Sequence, residues 1–280
     1  MKALVILPTY NESKNLLGMI EEVFAQAPSG TDILVIDDNS PDGTGGIADA
    51  MVAKDPRVFV MHRPGKLGLG SAYVQGFGWA LARPYEAVIH MDCDFSHDPK
   101  DLPRLIEALS DCDLALGSRY VQGGAIQNWP WHRRLISRCG NLYARSVLQI
   151  GIKDLTGGFK AYKRKVLESL DLSQIASNGY AFLSEMKFKV VRKGFRVREI
   201  PIIFKDRTQG KSKMSKKIFL EAAIMVWRLR LSPEGGNLLP SLALAFAVLA
   251  MLHYYCNFMT NHHLPDFLPG LSQKISGLFK

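Results

Sequence analysis

No two of the four cysteines in this 280-residue chain stand at a spacing that builds a zinc site or a redox pair. Cys93, Cys112, Cys139 and Cys256 are scattered. This excludes a cysteine-rich metal scaffold and reads as reduced thiols, the state expected on a cytosolic face. Internal repeats and low-complexity tracts are also missing, which leaves one or two ordinary globular domains with ample material for a core. A secretory leader is not expected, because the β-rich run Ala3-Leu4-Val5-Ile6-Leu7 stands where its basic region would be. The glycine-rich stretch Gly65–Gly70 lacks Walker spacing and reads as a connection leading into a helix.

Charge is missing from one long stretch and crowded into its neighbour. Residues 1–186 hold 19 lysines and arginines against 21 acids, whereas residues 187–230 hold 14 against 3. Between Gly235 and Pro265 there is no formally charged residue, and Leu238 to Cys256 is apolar apart from Pro240, Ser241 and His253. A membrane-spanning helix needs ~20 such residues. A single span over 238–256 is therefore expected, with a short tail at the far interface. Lys216, Lys217, Arg228 and Arg230 precede the span, so the positive-inside bias sets the N-terminal domain in the cytoplasm. A basic excess beside such a span argues for an anionic membrane surface and anionic substrates, and against nucleic acid as a partner.

What is present is an alternation of apolar strands and polar loops. The runs Ala3–Leu7, Ile33–Ile36, Val58–Met61, Ala87–Met91 and Leu114–Leu116 read as buried strands. Leu16, Ile20, Val23 and Phe24 keep helical spacing after a start capped by Asn11 or Ser13. This cadence predicts an α/β fold with an open, mostly parallel sheet and ligands outside the carboxyl ends of its strands. Asp92-Cys93-Asp94 stands at such an end. Carboxylates at i and i+2 can converge on one hard cation, Mg2+ or Mn2+, which shares its oxygen ligands with substrate phosphates. Ser96 can add a weak oxygen ligand, whereas His97 is expected to be a loop histidine rather than a ligand.

Leu7-Pro8-Thr9-Tyr10-Asn11-Glu12, Asp37-Asp38-Asn39-Ser40-Pro41-Asp42-Gly43-Thr44, Lys66-Leu67-Gly68-Leu69-Gly70 and Asp92-Cys93-Asp94 follow one another in this order. Gly117-Ser118-Arg119-Tyr120, Asp154-Leu155-Thr156-Gly157-Gly158-Phe159 and Asp206-Arg207-Thr208-Gln209-Gly210-Lys211-Ser212-Lys213 continue the series. Together they resemble the inverting, GT-A-fold glycosyltransferases of family 2, and more narrowly the dolichyl-phosphate (polyprenyl-phosphate) mannose synthases. The resemblance implies a Rossmann-like nucleotide-sugar-binding catalytic domain over residues 1–230, followed by a membrane anchor over 231–280. It implies transfer of mannose from GDP-mannose to dolichyl or polyprenyl phosphate with inversion. Pro8, Tyr10, Glu12, Ile36 and Asp38 would contact the nucleoside. Asp92, Cys93, Asp94 and Arg119 would line the rest of the donor site, with Asp94, Arg119 and Arg207 in the chemistry. Partner subunits are not required by the sequence.

Arg207 and Lys213 lie in a Gly/Ser/Lys-rich loop that resembles a mobile lid, where cations can bind the diphosphate and stabilise charge on the leaving group. Trp129-Pro130-Trp131-His132-Arg133-Arg134-Leu135-Ile136-Ser137-Arg138 is aromatic and basic together. Arg133 and Ser137, at i and i+4 of a predicted helix, share one face, which reads either as a solvated basic face or as a seat for the acceptor phosphate. The acceptor phosphate is already ionised near neutral pH, so no strong general base is needed. Two other readings are a sister enzyme using another nucleotide-sugar such as UDP-glucose, and a non-catalytic nucleotide-sugar sensor at the membrane.

Overall fold

The computed structural model describes residues 1–175, 179–206 and 216–235. They belong to one compact unit, Met1–Gly236. The expected span over 238–256, and Arg207 and Lys213 of the expected lid, lie outside the described residues. Among the described residues no helix is long and apolar enough to cross a membrane.

The strands are β1 (Ala3–Thr9), β2 (Thr31–Asp37), β3 (Val58–His62), β4 (Ala87–His90), β5 (Leu114–Ser118), β6 (Ala125–Gln127), β7 (Lys160–Lys163), β8 (Val197–Pro201) and β9 (Ile203–Lys205). The helices are α1 (Leu16–Gln26), α2 (Thr44–Lys54), α3 (Leu69–Leu81), α4 (Leu102–Ala108), α5 (Trp131–Leu148), α6 (Arg164–Ser169), α7 (Gly179–Arg192) and α8 (Lys216–Leu231). Seven strands form one sheet in the order β3-β2-β1-β4-β7-β5-β8, and β6 pairs with β9 in a small parallel ribbon. Only β7 runs against its neighbours in the large sheet. The open, mostly parallel sheet expected from the sequence is therefore present, with one reversed strand in its middle.

Period-two alternation explains how helices cover both faces. Leu4, Ile6, Leu34, Ile36 and Val88 point into a core with Tyr73 and Phe77 of α3 and with Phe182 and Met186 of α7. Ala3, Val5, Leu7, Ile33, Val35 and Ile89 point the other way, onto α1 and α4. Each fully buried leucine or isoleucine contributes about 1.5–3 kcal/mol of burial, so a one-residue slip of β1 would misplace the whole set. Helix α8 packs on α5 and α7.

One local expectation needs correction. Helix α1 starts at Leu16 after Asn15, with no side-chain cap, rather than being capped by Asn11 or Ser13. Asn11 takes a left-handed φ of 60° and donates its N–H to Ser40 Oγ, while the Ser13 N–H is taken by Asp42. These residues tie the first loop to the second instead of capping the helix.

Candidate active site

The carboxyl ends of β1, β2, β4 and β5 gather most of the residues that the sequence singled out. At the end of β2, Ile36 is buried in the core and Asp37 is held in place. Its Oδ1 accepts from Thr9 Oγ1 and Ser40 Oγ, and its Oδ2 from the Ser40 N–H. Asp38 is buried beside Arg63 at 2.7 Å. Burial raises the Asp38 carboxyl above its ordinary range, and the Arg63 charge opposes this without cancelling it. Arg63 also reaches Gly68 O and Ser71 Oγ, which joins the second loop to the Gly65–Gly70 stretch. Sequence reasoning did not single out Arg63. Its signal is its place directly after β3, on the same sheet edge as the three polar loops.

At the end of β1, Tyr10 carries the Lys66 ammonium 4.2 Å from its ring centroid, within cation–π range. Glu12 receives Asn15 Nδ2 on its carboxylate and donates its N–H to Thr44 Oγ1. Pro8 lies inside β1, paired with Ile36. Tyr10, Glu12, Ile36 and Asp38 therefore belong to two adjacent strand ends laced together by short hydrogen bonds.

At the end of β4, Asp92 is partly exposed and Asp94 is buried. Ser96 donates both its N–H and its Oγ to Asp94 Oδ1, at 3.1 and 2.5 Å. In this geometry Ser96 orients a carboxylate. Cys93 packs in the apolar core, where burial holds its thiol protonated, so only its backbone is available to a ligand. His97 is buried, and its Nδ1 accepts the Asp92 N–H at 3.1 Å. Burial lowers its basicity against the pull of Asp92 and Asp94. The loop histidine is thus a neutral prop under Asp92. Gly158 closes over this pair: a Cβ there would lie 2.9 Å from His97 Cε1 and 3.3 Å from Asp92 Oδ2. Any larger residue would displace the prop or the carboxylate.

At the end of β5, Arg119 is clamped by Asp154. Its Nε and Nη2 donate to the two carboxylate oxygens at 2.8 and 2.7 Å, and its backbone N–H donates to Oδ2. Nη2 also reaches Thr156 Oγ1. Burial pushes the Asp154 carboxyl up, but the charge and hydrogen bonds of Arg119 outweigh it and hold it at about 2. Behind this pair Lys187 donates from Nζ to the carbonyls of Asp154 and Gly157, and burial brings it down to about 7. Segment 154–158 thus holds Arg119 at one end and abuts Asp92 at the other. Asp154, Thr156 and Lys187 received no role from sequence reasoning.

Arg133 and Ser137 share the inner face of α5, as their spacing predicts. Arg133 pairs with Asp206 at 2.9 Å and lies over the Trp129 ring, while Ser137 Oγ accepts from Tyr120 OH. Asn141, one turn further, donates to Ser137 O and Thr156 Oγ1 and accepts the Leu155 N–H.

The residue types at Asp92 and Asp94 suit a hard divalent ion: two carboxylates two positions apart, one of them oriented by Ser96, with the Cys93 thiol packed away in the core. Among the described residues no group of three or more His, Cys, Asp or Glu side chains can hold a metal by itself. Further ligands to such an ion would come from substrate oxygens and water.

Residues 4–171 match the family model described as Glycosyl transferase family 2. Polyprenol monophosphomannose synthase of Mycolicibacterium smegmatis is 48% identical over 233 residues, covering 82% of this chain and 88% of that protein. Undecaprenyl-phosphate mannosyltransferase of Micrococcus luteus is 45% identical over 247 residues, covering 87% of this chain and 100% of that protein. Among solved structures, the mannosyltransferase PcManGT from Pyrobaculum calidifontis, in complex with GDP-Man and Mn2+, matches with a TM-score of 0.53. That match covers 92% of this chain and 83% of PcManGT at 17% identity, and shows a common fold.

Proposed function

The chain belongs to glycosyl transferase family 2, and we propose that GDP-mannose is the donor from which it transfers mannose to a polyprenyl phosphate. It is a GT-A-fold glycosyltransferase, and its activity is polyprenyl-phosphate mannosyl transfer, that of relatives at 48% and 45% identity. GDP as the donor's nucleotide is supported by the likeness to PcManGT, solved with GDP-Man and Mn2+. One observation supports the metal and the residue roles: a single segment, 154–158, abuts Asp92 with Gly158 and clamps Arg119 with Asp154. Acids suited to a metal–diphosphate and cations suited to phosphates therefore share one rigid frame.

In this reading the nucleoside lies against Pro8, Tyr10, Glu12, Ile36 and Asp38. Asp92 and Asp94 hold Mg2+ or Mn2+, which neutralises the diphosphate when bound. Arg119 faces the charge that builds on the leaving group, and the cationic residue types of Arg207 and Lys213, which lie outside the described residues, suit the same charge. Arg133 and Ser137 receive the acceptor phosphate and align it with the anomeric carbon, so attack is in line and inverts the centre. The acceptor needs no deprotonation, in keeping with a site where Asp37, Asp38 and Asp94 are already committed to hydrogen bonds. The uncharged stretch 235–265 anchors the protein in the membrane, with the catalytic domain on the cytoplasmic side.

The test is direct. The purified full-length protein is incubated with polyprenyl phosphate and GDP-mannose, UDP-glucose or other nucleotide-sugars, with and without EDTA, and the glycolipid is identified by mass. A mannosyl-phospholipid formed from GDP-mannose and abolished by chelator is expected. Preferential use of UDP-glucose would overturn the donor assignment, and full turnover in chelator would overturn the metal.

A further inference from the structure

Arg134 and Arg138 stand one turn apart on α5, exposed, and no carboxylate among the described residues pairs with either. With Arg119, Tyr120, Gly124 and Ile126 they line a cavity of about 200 Å3 between α5 and the loop from β5 to β6. The charge of Arg119 is offset by Asp154, and the lining contains no acid. Among the described residues the cavity therefore presents two guanidinium groups with no carboxylate partner. It is smaller than the roughly 300–1,000 Å3 that encloses a drug-sized ligand, and suits one phosphate-sized group. Gly124 sets its wall: a Cβ there would lie 2.6 Å from Ser118 O and 2.9 Å from the Arg119 carbonyl carbon. Only glycine lets the backbone approach this closely.

The position on the helix specifies more than an anion. At about 100° per residue, Arg134 and Arg138 border the stripe formed by Trp131, Leu135 and Leu142, which are 75%, 53% and 61% exposed. Arg133 and Ser137 lie opposite that stripe, about 60–140° around the helix from Arg134 and Arg138, and turn inward, to Asp206 and Tyr120. A phosphate seat bordered by solvent-facing apolar side chains fits a phosphate that carries apolar chains, and guanidinium forks grip phosphate oxygens in pairs.

We propose that this cavity is a second phosphate site, in which Arg134 and Arg138 hold the headgroup phosphodiester of an anionic bilayer phospholipid beside the acceptor. It rests on the proposed function only in naming that neighbour. Phospholipid bound here keeps the exposed stripe of α5 at the bilayer surface while the acceptor reaches Arg133 and Ser137.

The experiment uses the full-length protein in neutral-detergent micelles at fixed donor and acceptor, titrated with phosphatidylglycerol, phosphatidylcholine or inorganic phosphate. Phosphatidylglycerol is expected to raise turnover several-fold, and inorganic phosphate at the same concentration to leave that stimulation intact. R134Q/R138Q is expected to lose the stimulation while its turnover and acceptor KM in lipid-free micelles match the parent. R134K/R138K, which keeps charge but not the fork, is expected to retain part of the stimulation. A second readout is independent of the reaction: phosphatidylglycerol raises the melting temperature of the parent but not of R134Q/R138Q. Equal stimulation and equal thermal shift in parent and double variant would overturn the site. A raised acceptor KM for the double variant without phospholipid would assign these arginines to the acceptor instead. Erasure of the stimulation by inorganic phosphate would replace the lipid with a small anion. If no glycolipid forms from any donor while the thermal shift persists, the function reading fails and the phosphate site stands.

Discussion

The two halves of the site are held together in opposite ways. On the β1–β2–β4 side, much of the holding is local: Ser40 holds Asp37 from three positions off and Ser96 holds Asp94 from two, beside longer reaches from Thr9 to Asp37 and from Arg63 to Asp38. On the β5–α5 side, arginines are fixed by acids far along the chain: Asp154 is 35 positions from Arg119, and Asp206 is 73 from Arg133. The first half is a set of loops that organise themselves as soon as their strands pair. The second half exists only when the whole domain has folded. The acids of the first half draw on their own loops and on neighbouring strands, whereas Arg119 and Arg133 depend on tertiary closure.

The sharpest way to test this contrast is to remove one charge from each half. Asp94→Asn is expected to lower turnover by orders of magnitude and to leave the melting temperature nearly unchanged, because the loop's own bonds persist. A large loss of stability with residual turnover intact would erase the distinction. Asp154→Asn is expected to act the other way. It leaves a buried guanidinium without its counter-charge, at a cost of about 3–5 kcal/mol, read by chemical denaturation.

Acid unfolding gives a smaller and more selective view of the same clamp. Asp154 lies at about 2 in the folded protein, below the roughly 3.9 of an unfolded aspartate. The unfolded chain therefore takes up the proton first. The stabilisation is complete above the unfolded value and is lost as pH falls through about 2. Asp154→Asn is expected to flatten the stability–pH profile in that window, and an unchanged slope would show that the clamp contributes nothing. Below this in size, Arg133→Ala is expected to raise the acceptor KM about ten- to a hundredfold, the worth of one charge-assisted hydrogen bond of about 1.5–3 kcal/mol. Donor affinity by calorimetry should hold. Ser96→Ala is expected to have the smallest effect, about 1 kcal/mol of stability and a modest fall in turnover. A collapse comparable to Asp94→Asn would make Ser96 a ligand rather than an orienting group.

The same contrast explains what could be read from the sequence. The strands β1 to β5 and the acid loops after them announce themselves because their apolar runs and turn residues are contiguous. Arg133 and Ser137 were readable as one face because helical spacing is local. Strand β7 was not: Lys160-Ala161-Tyr162-Lys163 carries two lysines, yet it sits between β4 and β5 with Lys160 fully buried. Tertiary pairing overrode its composition. The partnerships of Asp38 with Arg63, Arg119 with Asp154, and Lys187 with segment 154–157 leave no trace in spacing. They form between residues that only the fold brings together.

Asn141 gives the architecture a further consequence. Its amide joins Ser137 on α5 to Leu155 and Thr156 beside the Arg119–Asp154 pair. A small shift of α5 therefore cannot leave the 154–158 segment, and Asp92 beyond it, in place. Thermodynamic reciprocity then applies: whatever factor a bound donor adds to acceptor affinity, a bound acceptor must return to the donor. Asn141→Ala is expected to bring that factor towards one, read as donor affinity with and without acceptor.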